Sequence, residues 1–550
     1  MVTFRITTAS DRRMLCTTAA RLIFSTAAVS LTLAAADAQA ARAHLSNDLQ
    51  RHLDSGDTTG TTVIVSGSAE QVAAIAARHG LRVRKALTSG AVLDVPAGRL
   101  EEVAADAEVP QLSADRVMRG QMAVTDTAIG ADQVWDLTPT GSGTAGAGQG
   151  ITGKNIGVAI LDSGVTVVPQ LRGQVTARVD LTDAKGTGAD VWGHGTHLAG
   201  IIAGAGNLAD NGRGVAPGAH IVSVKVLTDD GSGHISDLVE GIDWVIANRK
   251  RYQINVINLS LGSPVEQSWR DDPVCQAIQR AWLVNIVTVA AAGNFGKTAD
   301  GTEVLGGVTS PGNCPYAITA GTVNTKGTPY RSDDVIATYS SRGPTQIDHI
   351  LKPDLLAPGN KIRSLLAPGS VIAQQYPEKV IGSGTDARLE LSGTSMSAAV
   401  VSGAAALLLD ARAKSDPEAV RTLLQLGAEQ LPGLGIVRQG AGSLNVVASL
   451  AIAMGRNTET PTFIAGETIT PAYFAFTVVA VPRAHVTVSD GVTWNEQILW
   501  GEQILWGEQI VWGEQILWGE QILWGEQILW GEQILWGEQI LWGEQILWGE

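Results

Sequence analysis

Val158-Ala159-Ile160-Leu161-Asp162-Ser163-Gly164 is the stretch on which the fold turns. Four consecutive apolar residues leave it no polar face, as in a strand covered on both sides of a parallel sheet. The run ends on Asp162, which puts a carboxylate at the carboxyl end of a strand, where ligand sites of open α/β sheets collect. The apolar run itself begins at Ile156, and similar runs recur at Ile221 to Leu227, Val256 to Leu259 and Ile286 to Ala291. Helix-length segments at His197 to Ala205, Ile235 to Arg249 and Ala277 to Leu283 alternate with them. This alternation predicts an α/β domain over residues 127–455, a parallel sheet with helices on both faces, its last packed residues near Ala453.

A chain of 550 residues has room for more than one folding unit. Upstream, a strand at Val63-Ile64-Val65, a helix from Ala69 to His79, strands at Leu81 to Ala86 and Ala91 to Val95, a helix from Gly98 to Ala107 and a final strand suit a small α+β unit of ferredoxin-like type within residues 41–122. Residues 138–150, rich in Gly, Thr, Ala and Ser, read as a surface connection. Ahead of all this, Arg5, Arg12, Arg13 and Arg21 precede an apolar stretch from Leu22 to Ala36 and then Ala38-Gln39-Ala40. That pattern predicts a signal peptide over residues 1–40, cut after Ala40, and a secreted, extracellular protein. No later stretch reads as apolar over the roughly 20 residues a bilayer span needs, so no transmembrane segment is expected.

The net charge of −15 argues against a nucleic-acid partner, which asks for a basic surface. Much of that charge is local, because every sixth residue from Glu496 to Glu550 is Glu.

Two further segments share the character of the Asp162 turn. His194 lies in Gly193-His194-Gly195-Thr196-His197-Leu198-Ala199-Gly200, whose small residues let a helix start close to the sheet. Ser395 lies in Ser392-Gly393-Thr394-Ser395-Met396-Ser397-Ala398-Ala399 and opens a helix through Val401 to Leu409, in the favourable field of the helix dipole. A carboxylate, an imidazole and a hydroxyl are the parts from which an activated serine nucleophile is built, and their order along this chain is one of the known orders.

Together these three segments resemble the signature segments of the subtilase family, over roughly Thr127 to Ala453. The resemblance implies a subtilisin-like serine endopeptidase in which Ser395 attacks the scissile carbonyl, His194 is general base and then acid, and Asp162 orients the imidazole. It assigns His197 a packing role. Asn294, in Ala291-Ala292-Gly293-Asn294-Phe295-Gly296, matches the family's oxyanion-hole asparagine, and Gly231-Ser232-Gly233 with Ser260-Leu261-Gly262 would flank an extended substrate as added strands. Where the family usually has a proline shortly after the nucleophile, this chain has Ala399. The implied partners are protein or peptide substrates and the chain's own propeptide, the α+β unit, removed by self-cleavage between Val117 and Thr127. The family needs no cofactor; structural calcium is allowed by the resemblance, though no oxygen-rich loop marks a site and no metal ligands are assigned.

Two parts stay outside that scheme. Cys275 and Cys314 remain once Cys16 leaves with the signal peptide, and can be either free or paired. Residues 456–490 read as a short β-rich linker, followed over 491–550 by a repetitive tail of Trp-Gly-Glu-Gln-Ile-Leu hexads such as Trp500 to Leu505. As a strand, the hexad puts Trp, Glu and Ile on one side and Gly, Gln and Leu on the other, which suits attachment to a cell surface or self-association. A rival function follows: a surface-binding or assembly protein with a subtilase fold whose hydrolysis is weak or confined to its own processing.

Overall fold

The computed structural model describes residues 42–45, 47–87, 90–114, 121–135, 150–182, 186–206, 213–412, 415–455, 461–472, 474–478, 484–488 and 493–494. The signal peptide expected at 1–40 and the hexads from 495 onward lie outside them, as do residues 117–120 of the expected cleavage interval. The chain divides into two compact units, Met1–Met118 and Arg119–Glu550.

In the first unit the strands Thr61–Ser66, Arg82–Leu87, Gly90–Val95 and Gln111–Ala114 alternate with the helices Ala69–His79 and Leu100–Ala104. In space the order is Gln111–Ala114, Thr61–Ser66, Gly90–Val95, Arg82–Leu87, with the short strand His44–Leu45 added outside the first of these. This is the split βαβ arrangement that the alternation of elements suggested. Ser68 begins the first helix with a reciprocal capping box to Gln71, and Gly80 ends it in a left-handed turn. The apolar faces of sheet and helices close over Val63, Val65, Leu93, Val103 and Leu112.

The second unit is built on an eight-stranded sheet. Its spatial order is Val335–Ile336, Ala317–Asn324, Val287–Ala291, Ile254–Leu259, Gly157–Asp162, His220–Lys225, Val175–Asp180, with Leu355–Pro358 also paired to Ala317–Asn324. All pairings are parallel except that of Val335–Ile336. The Asp162 strand is buried along its whole length, and its residues divide by the pleat. Val158 and Ile160 face a core shared with the helices His194–Ala203 and Thr394–Ala411. Ala159 and Leu161 face a second core with the helices Ile235–Asn248 and Pro273–Leu283. Helices on both faces are what a strand with no polar side requires.

The Ser395 helix, Thr394–Ala411, runs through the middle of the first core, with every residue except Ser395 buried. By length and apolarity alone it could cross a bilayer, but 94% of it is buried inside the protein, as befits a core helix. Its apolar character serves the core.

Arg331 holds the margins of this unit together. Its guanidinium is 2% exposed; Nη1 donates to Ala128 O (2.8 Å) and Leu444 O (2.6 Å), Nη2 to Ser443 O (3.0 Å), and Nε to Glu429 Oε2 (3.0 Å). The last packed helix, Val446–Ala453, ends where the sequence pattern ends. In the β-rich stretch expected at 456–490, the hairpin Thr462–Ile464 and Glu467–Ile469 and the strand Phe474–Val478 lie against the unit. Phe476 is 5% exposed among Leu351, Ala428 and Ala441, its N–H donates to Gln425 Oε1 (3.0 Å), and Asn445 Nδ2 donates to Thr462 Oγ1 (2.8 Å).

Replacing Leu407, fully buried in the Ser395 helix, by alanine is expected to destabilise the unit by about 2–5 kcal/mol, because the space it leaves refills only in part. Denaturant midpoints of the full chain and the Leu407→Ala variant measure this; equal midpoints would contradict the core position.

Candidate active site

Four neighbouring strands deliver the site from their carboxyl ends. Asp162 is the last residue of the central one. On one side the next strand, Ile254–Leu259, runs directly into Ser260-Leu261-Gly262, and the one beyond it, Val287–Ala291, leads into Gly293 and Asn294. On the other side His220–Lys225 leads into the turn carrying Gly231-Ser232-Gly233. Ile160 pairs with Asn258, so Asp162 and Ser260 lie two residues further along on adjacent strands, one strand spacing of about 5 Å apart.

Asp162 is 1% exposed, and its Oδ1 accepts from Ser163 N (2.8 Å), Ser163 Oγ (3.1 Å) and His194 Nδ1 (2.9 Å). With Nδ1 toward the carboxylate, the tautomer assigned from this network carries its proton there and leaves Nε2 free to accept one. Burial disfavours the charged ring, but the charge and hydrogen bond of Asp162, with Asp190 adding, outweigh it and hold the His194 pKa above its ordinary value. In stability terms a histidine of raised pKa favours the fold below its unfolded value of about 6.5, and that contribution is lost as pH rises through the folded value.

The His194 helix begins hard against the sheet. Gly193 precedes it at φ 107°, and a Cβ on Gly195 would overlap the carbonyl oxygen of Gly164. Asp190, which the sequence reading passed over, holds this entry: its Oδ1 accepts from Ser163 Oγ (2.8 Å) and Gly193 N (2.7 Å), and its Oδ2 from Thr196 N (2.7 Å). An aspartate four residues before a helix-opening histidine was the available signal, since carboxylates satisfy the free N–H groups of a first turn. Lys225, also buried, donates to Ser163 O (2.9 Å) and fixes the same turn. His197 faces inward as the resemblance implied: it is fully buried, its Nε2 lies 3.1 Å from Ile362 O and 2.9 Å from Leu389 O, and burial pushes its pKa down to about 3.

Ser395 and Ser260 are joined twice. Ser395 Oγ donates to Ser260 O (3.0 Å), and Ser260 Oγ donates to Ser395 O (2.8 Å). Among the described residues no hydrogen bond joins Ser395 Oγ to His194; the hydroxyl rests on a main-chain carbonyl. The His194 and Ser395 helices pack against each other, and both open at this edge of the sheet.

Thr394, the residue before Ser395, orients Asn294. Its N–H and Oγ1 both donate to Asn294 Oδ1 (3.0 and 3.2 Å), and its Oγ1 accepts from Gly293 N (3.0 Å). With the amide oxygen occupied, the amide nitrogen is turned away from Thr394, and a Cβ on Gly393 would stand 3.4 Å from it. Ser395, second residue of its helix, has a main-chain N–H in the turn that lacks intrahelical acceptors.

The two strand-like flanks differ in how they are held. Gly231 sits at φ 83°, and a Cβ there would meet the ring of Trp192 at 2.5 Å, which links this turn to the segment just before His194. Asp230 Oδ1 shapes the turn by accepting from Ser232 N (3.0 Å), Ser232 Oγ (2.7 Å) and Thr228 Oγ1 (2.5 Å). Opposite, Ser263 pairs with Ser310 through two main-chain hydrogen bonds (2.8 and 3.0 Å), and Thr309 packs under Gly262.

The family model described as "Subtilase family" matches residues 153–443, which span all four of these strand ends. The chain belongs to the subtilase family. Similar proteins include serine protease AprX of Bacillus subtilis (strain 168), 35% identical over 309 residues, 55% of this chain and 68% of that protein. Subtilisin E of the same strain is 34% identical over 304 residues, 55% of this chain and 67% of that one. Subtilisin Savinase of Lederbergia lenta is 31% identical over 300 residues, 54% of this chain and 93% of its own. As a subtilase the protein is a serine-type endopeptidase, and its chemistry needs no organic cofactor.

Titration of His194 by NMR on the full chain is expected to give a pKa above the ordinary 6.5, and Asp162→Asn should bring it down by removing the carboxylate's charge. A wild-type value at or below that of the variant would overturn the electrostatic account.

Proposed function

We propose that this subtilase is a secreted serine endopeptidase, made as a zymogen, that works through Asp162, His194 and Ser395. The observation that carries the reading is the convergence at one sheet edge of a carboxylate bonded to imidazole Nδ1, a hydroxyl at a helix start, and an amide whose oxygen is already engaged.

In this mechanism Ser395 Oγ leaves Ser260 O, gives its proton to His194 Nε2 and attacks the substrate carbonyl carbon. Asp162 stabilises the imidazolium that results, and the raised pKa of His194 expresses that preference for the charged ring. The carbonyl oxygen gains negative charge between Asn294 Nδ2 and the Ser395 N–H. Collapse expels the amine with the proton from His194 and leaves an acyl-serine, which a water activated by the same imidazole hydrolyses. Because the neutral ring is the base, turnover rises with pH through the His194 pKa. The peptide lies between Gly231-Ser232-Gly233 and Ser260-Leu261-Gly262, whose strand ends flank the triad.

The α+β unit acts as the propeptide and leaves by self-cleavage between Val117 and Thr127, and the arginine-led leader supports export. Of that interval, residues 121–127 belong to the helix Gln121–Ala128, so a cut within it requires that turn to open. Structural calcium stays allowed by the resemblance; among the described residues no three His, Cys, Asp or Glu side chains gather, so any such site would draw on carbonyl oxygens.

A fluorophosphonate probe is expected to label Ser395, and Ser395→Ala to abolish both labelling and release of the propeptide. Labelling that survives the substitution would remove Ser395 from the mechanism, and normal processing in the variant would refute self-cleavage. Asn294→Ala is expected to lower kcat by about 10²–10³ with KM little changed, since its amide acts on charge that exists only in the transition state; a change confined to KM would argue against the oxyanion role.

A further inference from the structure

Two buried cysteines are in contact outside the site. Cys275 sits in the helix Pro273–Leu283, and Cys314 in the turn after Ser310, 39 positions later. They are 1% and 0% exposed, both free, with Cys314 Sγ 3.8 Å from Cys275 O. The turn that carries Cys314 also lies against Gly262 and Gly293. Cys314 N donates to Pro311 O (3.0 Å) and Asn313 N to Thr309 O (2.9 Å), while Thr309 packs beneath both Gly262 and Gly293 and Ser310 pairs with Ser263. At the other end, Asp272 caps the Cys275 helix through Val274 N (2.8 Å) and accepts from Ser310 Oγ (2.7 Å).

We infer that Cys275 and Cys314 are oxidised to a disulfide when the chain folds in an oxidising compartment, and that this bond pins the turn after Thr309 and Ser310 to the helix that carries Cys275. The oxidant is a disulfide, either of a thiol oxidoreductase or of glutathione. One cysteine thiolate attacks it to give a mixed disulfide and release one thiol; the other cysteine then attacks its partner's sulfur and releases the second thiol. The protein loses two electrons and two protons, and the oxidant is reduced to two thiols. Timing follows from burial. Burial foremost, and then the neighbouring Cys314, push the Cys275 thiol far above its ordinary range, so once folded the pair is inert as well as shielded, and the bond must form before the core closes.

The inference rests on the export reading only for where oxidation happens, so the test separates the two. Full chain recovered from an oxidising export route is unfolded in guanidinium with excess iodoacetamide and no reductant, digested and mapped by mass spectrometry. A cross-linked peptide pair, 2 mass units below the sum of the two thiol peptides, is the expected result. Full chain made in a reducing cytosol is treated with oxidised glutathione either while folded, where both thiols should persist, or during refolding from guanidinium, where the cross-link should appear. If only the refolded sample is cross-linked, the disulfide stands and export fails; if the refolded chain carries two alkylated cysteines, the inference is overturned. The cross-linked protein should also lose several degrees of thermal midpoint when refolded with reductant, a sensitivity absent from the Cys275→Ala/Cys314→Ala double variant.

Discussion

The site depends on how closely the His194 helix approaches the end of the Asp162 strand. Gly164 and Gly195 meet backbone to backbone, with no room for a side chain between them. Only at that separation can Asp162 Oδ1 reach His194 Nδ1 at 2.9 Å while also accepting from the N–H and hydroxyl of its own neighbour, Ser163. A wider gap would leave a carboxylate buried and unpaired, which is among the costliest defects a core can hold. The parallel sheet sets the strand end, and two glycines set the distance.

Asp190 and Ser163 turn that approach into a rigid frame. Desolvation raises the Asp190 pKa, yet its two oxygens take donors from Ser163, Gly193 and Thr196. A buried carboxylate satisfied in this way can hold a helix start without competing for the imidazole. On the opposite side, Thr394 takes an N–H from Gly293 and gives two donors to Asn294, so the Asn294 amide is tied to the start of the Ser395 helix. The placement of Asp162, His194 and Asn294 is thus fixed by neighbours that carry no assigned role.

The parts of this arrangement visible in the sequence are those whose signal is local. An unbroken apolar run foretold a strand covered on both faces, and Gly-His-Gly-Thr-His and Gly-Thr-Ser-Met marked two helix starts. What escaped are contacts between residues far apart along the chain. Thr394 and Asn294 are 100 positions apart, and Ser260 and Ser395 are 135 apart. No periodicity reports such pairs. Nothing local in the β-rich stretch after Ala453 told that Phe476 packs between Leu351, Ala428 and Ala441, all distant along the chain. Conversely the Ser395 helix passes a membrane test because a helix surrounded by protein needs no polar face, just as one surrounded by lipid needs none.

Arg331 carries a consequence for the chain's two margins. Its guanidinium grips the carbonyls of Ala128, Ser443 and Leu444 together with the Glu429 carboxylate, so the opening helix and the closing segments of the second unit are riveted to one side chain. A backbone cut anywhere before Ala128 severs none of those four bonds. A terminus made there would still have the Ala128 carbonyl held by that guanidinium.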